Sequence, residues 1–191
     1  LIDNLDIDGA TDIGAAIVDA DLFIIDDGAG GTNRKTAASR IKTYIGVADI
    51  SCRLTDSGSA QSAADNAQTA ITWNTETFDT DTMHDPSSNP SRITFTTAGK
   101  YIVAGAISFR NTNHAGSRGL RIHLNGSTSA LANHNMQPDS TSDHHKIAVS
   151  TGVYEFAATD YVELLGEVGG AGADILMDVN TPMWFSAVKV N

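Results

Sequence analysis

From Ser91 to Phe109 the chain reads Ser-Arg-Ile-Thr-Phe-Thr-Thr-Ala-Gly-Lys-Tyr-Ile-Val-Ala-Gly-Ala-Ile-Ser-Phe, two alternating patterns joined by a turn. Ile93 and Phe95 fall on one side. Beyond Ala98-Gly99-Lys100, Tyr101, Val103, Ile107 and Phe109 share one face, and Ile102, Ala104, Ala106 and Ser108 share the other, because strand side chains alternate. One face is large and apolar and the other is small. Such a strand belongs between a core and a closely packed neighbour, either a second sheet or another chain.

The rest of the chain past about residue 48 has the same habit. Apolar alternation recurs at 48–54, 70–73, 120–124, 145–149, 153–156, 161–165, 175–179 and 183–190, separated by Gly, Asn, Asp and Ser clusters. The expectation is a mostly β protein, an antiparallel sandwich of about ten strands over residues 48–191. Asn125-Gly126 marks a tight hairpin. No fixed period appears, which excludes a solenoid or propeller. With 191 residues, 41% of them hydrophobic, the chain can bury one substantial core and carry a short extra segment beside it.

A formal net charge of -11 excludes nucleic acid as a partner, since phosphate binding needs clustered Lys and Arg. No apolar run approaches the roughly 20 residues of a membrane span, so membrane insertion is not expected. Nor does the start resemble a signal peptide. Cys52, the single cysteine, alternates with Ala48, Ile50 and Leu54 and reads as a buried small hydrophobe. Without an intrachain disulfide, stability must come from packing or association.

Residues 1–46 differ in kind and read as a connector. Asp3, Asp6, Asp8, Asp12, Asp19, Asp21, Asp26 and Asp27 precede the first basic residue, Arg34. Residues 21–26 suggest a short strand ending in an Asp-Gly turn. Over residues 34–45 the spacing of Ala37, Ile41, Tyr44 and Ile45 predicts a helix, with Thr32 or Asn33 as its cap. Arg34 and Lys35 would then sit on the wrong end of the helix dipole, so acidic neighbours are expected to compensate. Leu22, Phe23, Ile41 and Tyr44 are the expected apolar contacts of this connector.

Few residues suggest chemistry. Asp79, Asp81 and Asp85, with His84 among them, have a spacing that could wrap calcium. They lack a closing Glu and a turn glycine, and the reading adopted is that they cap loop amides, with no metal or cofactor. Six histidines are scattered without a zinc-binding spacing, since the adjacent His144 and His145 point to opposite faces of a strand. Asp139, Ser140 and His144 supply residue types for catalysis, but no Gly-rich elbow or oxyanion donor accompanies them, so no enzyme is expected. Trp73, Tyr101, Val103, Phe109, Trp184 and Phe185 lie on strand patterns and read as core or interface packing.

Two resemblances add to this. Asp19-Ala20-Asp21-Leu22-Phe23-Ile24-Ile25-Asp26-Asp27, continuing through Asn33-Arg34-Lys35-Thr36 to Ile41, resembles a segment recurring in fibre and spike proteins of tailed bacteriophages. It implies a structural connector in a trimeric fibre. Trp73 to Asp79, Ala98-Gly99-Lys100-Tyr101, Ile122-His123-Leu124-Asn125-Gly126, Asp160 to Leu164 and Met183 to Val190 follow the order seen in complement-q and tumour-necrosis-factor-like heads. That resemblance implies a ten-stranded jelly roll associating as a homotrimer. The last strand departs from it, with Phe185-Ser186-Ala187 where the family commonly has Phe-Ser-Gly.

Together these imply a non-enzymatic virion structural protein on the particle surface: a trimeric phage fibre, spike or capsid decoration. Residues 1–46 would join other virion proteins. The loops at 75–90, 111–119 and 133–144 would present polar side chains to a host-surface glycan or protein. The alternative is a soluble trimeric carbohydrate- or protein-binding module outside a virion. A depolymerase would need a long β-helix, which the sequence lacks.

Overall fold

The computed structural model describes residues 15–26, 33–45, 49–56, 60–110, 116–137, 144–170, 173–176 and 183–190. Two units make up the chain, Leu1–Ala48 and Asp49–Asn191.

In the first unit, β1 (Leu22–Asp26) pairs antiparallel with β2 (Asn33–Ala37), Leu22 opposite Ala37 and Asp26 opposite Asn33. The helix α1 covers only Ala38–Ile45, so the helix expected over 34–45 loses its first turn to a strand. The reason is pairing. The open edge of β1 satisfies the backbone of residues 33–37, which sequence spacing cannot reveal. Arg34 and Lys35 therefore avoid the unfavourable end of the dipole. Ala38 N donates to Asp21 O at 2.8 Å, and this bond opens the helix. Tyr44 does not join an inward stripe, being 92% exposed.

The second unit is an antiparallel sandwich. Its strands are β3 (Ser51–Thr55), β4 (Gln61–Ala63), β5 (Ala67–Ala70), β6 (Thr75–Asp79), β7 (Arg92–Thr94) and β8 (Gly99–Arg110). Then follow β9 (Ser117–Leu124), β10 (Ala130–Met136), β11 (His144–Phe156), β12 (Tyr161–Gly169), β13 (Ala173–Leu176) and β14 (Trp184–Lys189). One sheet has the order β10-β9-β12-β7. The other has the order β4-β13-β8-β14-β3-β6, and β11 pairs with β8 as well. The described residues thus hold twelve strands in this unit rather than about ten, because β4, β6 and β10 are short or polar and carry weak alternation.

Between the sheets, Tyr101, Val103, Ile107 and Phe109 point inward from β8 as their alternation requires. Phe95 stacks on Phe156 at 4.0 Å between centroids and lies 4.7 Å from the Tyr101 ring. Trp73 lies 6.1 Å from Phe185. Gly105 is required by close approach, since a Cβ there would stand 2.6 Å from Leu164 Cδ2. The runs expected at 145–149 and 153–156 form one strand, interrupted by a one-residue bulge between Ser150 and Val153. At the β9–β10 hairpin, Asn125 (φ 51) and Gly126 (φ 67) both take left-handed conformations, as an Asn-Gly turn should.

Cys52 faces this core with no exposure. Burial, and secondarily Asp79 and Glu76, push its thiol far above the ordinary thiol range. It should therefore resist alkylation in the native protein and react as one thiol per chain in denaturant; fast native labelling would contradict its placement. The linkage sign follows. Above about pH 8.5 only the unfolded chain can release this proton, so the thiol's contribution to stability declines as pH rises further.

Candidate functional site

The outward face of the β8 sheet is the candidate. Register places its side chains in cross-strand rows. Val153, Ile102, Val188 and Ser51 form the first, on β11, β8, β14 and β3. Ser150, Ala104, Ser186, Arg53 and Phe78 form the second, reaching β6. Ala148, Ala106, Trp184 and Thr55 form the third. Val153 is 58% exposed, Val188 45%, Phe78 43% and Ile102 36%, on one continuous face of five strands. Small side chains floor its centre. Arg53 lies 4.8 Å from the Trp184 ring centroid and carries the only charge within these three rows.

Monomeric proteins seldom leave contiguous apolar area of this kind in water. Alanines and serines at its centre allow another protein surface to approach closely, as the small face of the β8 pattern predicts. Nothing in it resembles a catalytic constellation.

The residues singled out from sequence divide between the two sides of this sheet. Trp73, Tyr101, Val103, Phe109 and Phe185 are buried in the core, each at most 1% exposed. Trp184 alone of that set lies on the outward face, half-buried under Arg53. Phe78, Ile102, Val153 and Val188 were not singled out as site residues. Parity could have found Ile102 and Val188, but the bulge obscures the parity of Val153.

The acidic loop turns the carboxylates of Asp79 and Asp85 on its own backbone, whereas Asp81, expected to cap a loop amide too, bonds to a side chain instead. Asp79 Oδ1 accepts from Asp81 N at 3.2 Å, while Oδ2 accepts from Met83 N at 2.7 Å and His84 N at 2.9 Å. Asp81 accepts from the Thr96 hydroxyl. Asp85 Oδ1 accepts from Ser87 N at 2.9 Å and Ser88 N at 3.2 Å. Those donors, Ser87 N first, hold the Asp85 carboxyl below the usual range. The buried His84 places Nδ1 3.0 Å from Glu76 Oε1. Asp79→Ala should cost about 2–3 kcal/mol by stranding three amides, and calcium should leave the wild-type melting temperature unchanged. A calcium-dependent rise would establish a metal loop instead.

Among the described residues the histidines do not gather, and no group of three or more His, Cys, Asp or Glu side chains could hold a metal. His123 Nδ1 lies 2.6 Å from Ser127 O and His134 Nδ1 2.8 Å from Ala148 O, which are separate local contacts. Asp139 and Ser140 lie outside the described residues.

The three loops expected to present polar side chains flank opposite ends of β8. Thr80 N donates to Ser51 O at 3.0 Å, and Thr96 bonds to Asp81 O at 2.8 Å, so residues 80–83 lie near the Gly99 end of β8. Residues 111–115 and 138–143 lie outside the described residues, but their flanks Arg110 and His144 pair at the other end. The eleven steps from Gly99 to Arg110, at about 3.3 Å each, separate these ends by roughly 36 Å. Strand direction decides this, and loop composition carries no information about it.

In the first unit, Phe23 and Ile41 line a groove of about 340 Å3 together with Ile17, Val18, Asp19, Ala38 and Lys42. Leu22 and Tyr44 face away into solvent.

No family model matches the sequence, and no curated protein matches it either. Solved structures do. Murine APRIL, solved at pH 5.0, superposes with a TM-score of 0.57 at 12% identity, covering 75% of this chain and all of that one. Eiger TNF from S. frugiperda gives 0.55 at 12% identity, covering 75% of this chain and 93% of that one. The chain therefore carries a jelly roll of the tumour-necrosis-factor-like fold.

Proposed function

We propose that the chain is a non-enzymatic homotrimeric binding module whose subunits associate through the outward face of the β8 sheet, and that it serves as a surface component of a phage virion. The observation that carries the trimer is the row Val153, Ile102, Val188 above the small Ala104 and Ala106. A stable interface needs roughly 800 Å2 per partner, and the outward face extends across five strands. The Arg of the middle row, stacked on Trp184, is a weakly hydrated cation of the kind that interfaces use.

The virion role rests on the likeness of residues 19–41 to the connector of phage fibres. Trimeric copies would multiply weak polar contacts to a host glycan or protein through avidity. The presented surface is either end of the sandwich rather than all three loops together. Residues 1–46 would join the module to other virion proteins.

Native mass spectrometry of the full chain tests the first claim. The expected mass is three times the 20.1 kDa of one chain. A stable folded monomer at micromolar concentration would remove the trimer. Immunogold labelling of intact particles tests the second, and unlabelled particles would shift the reading to a soluble module outside a virion.

A further inference from the structure

We infer that the first unit carries its own self-association site, separate from the sheet face of the head, in which neighbouring copies interlock head to tail. The back of β1 in one copy, Leu22 and Ile24, fills the groove between α1 and residues 17–19 of the next. The unit needs a cover. Its described part, an eight-residue helix on a two-stranded ribbon, is too small to be stable in water alone. Yet Ile17, Val18, Leu22 and Ile24 are each 58–66% exposed. These four side chains expose roughly 400 Å2 in all, divided between the two contacts each copy would make, so they supply about a quarter of one partner's share at each contact.

The two apolar surfaces lie on different sides of the unit. Phe23 lines the groove with Ala38 and Ile41. Leu22 and Ile24 alternate with it and so point the other way, opposite Ala37 and Lys35 across the ribbon. A two-fold pairing would bury one of these surfaces against itself and leave the other wet. Head-to-tail contact buries both in every copy, and it closes if the rotation returns to the first. Charge supports the same pairing. Lys35 stands beside Ile24 on the back, Asp19 lines the groove, and neither makes an ion pair among the described residues. Docking the back of one copy into the groove of the next brings Lys35 toward Asp19, with Lys42 on the same groove lining.

The test uses two forms of the full chain, Asp19→Cys and Lys35→Cys, co-expressed with different tags and mildly oxidised. Both positions are exposed, so neither change disturbs the fold, and the native Cys52 is buried. The expected product is a disulfide between unlike copies, with like copies linked at least tenfold less. In parallel, Leu22→Ser with Ile24→Ser should lower amide protection of residues 22–26 and 33–37 at least tenfold. Absence of the unlike-copy link overturns the inference, as does equal linking of like copies. Protection of β1 without the link would mean another occupant and overturns it too. Mass measured on the same samples tests the head separately. A linked chain that is not a trimer sinks the head reading alone, a trimer without the link sinks this one alone, and an unlinked monomer sinks both.

Discussion

Phe95→Ala is expected to lower the unfolding free energy by about 3–5 kcal/mol, read as a shift of the urea midpoint with little change in slope. The ring has no exposure and is held between Phe156 and Tyr101. Its backbone is pinned as well, with Phe95 N donating to Asp160 O at 2.8 Å and Phe95 O accepting from Thr159 N at 2.8 Å. The chain around the missing ring therefore cannot collapse into the cavity, which puts the cost toward the upper end. Against a total of about 5–15 kcal/mol, that leaves a marginal protein. A loss under about 1 kcal/mol would mean that the aromatic cluster is not the centre of the core.

Ile102→Asp should act on the other side of the same sheet and leave the fold alone. Ile102 is 36% exposed within a single chain, and its cross-strand neighbours Val153 and Val188 are also open to water, so an aspartate there stays solvated in a monomer. In an assembled trimer it would be buried in an apolar row without a cation. An unpaired buried charge costs about 3–5 kcal/mol, enough to weaken each contact by roughly 100-fold or more. The expected result is a folded monomer by light scattering, with circular dichroism unchanged and Ile102→Leu still trimeric. If Ile102→Asp kept the trimer mass, subunits would be meeting through another surface, and the sheet face would lose its role.

Much of the head was legible because its strands alternate strongly. Tyr101, Val103, Ile107 and Phe109 fell on one face and Ala104 and Ala106 on the other from spacing alone, and Asn125-Gly126 announced its hairpin. Strands with mixed character escaped, among them β10, where Asn133, His134 and Asn135 interrupt the apolar positions. So did the bulge in β11. One extra residue reverses the parity of all that follows, and no local composition marks it. The first unit misled in a different way. Residues 34–37 were expected to open the helix but lie beside an open strand edge, and backbone pairing outweighed propensity.

The sequence by itself determined which side chains are apolar, how they alternate, and hence that residues past about 48 form an antiparallel sandwich. It also carried the reading of Asp79 and Asp85 as amide caps, because that bonding spans only a few residues. The tertiary structure alone decided which strands neighbour β8, and so which small and apolar residues from five strands align into one outward face. It also decided that loops flanking opposite ends of β8 stay apart. The physical reason is range. Alternation and capping are set by bonds within a few residues, whereas rows such as Val153, Ile102 and Val188 join positions far apart in sequence, through register fixed only when the sheets pack.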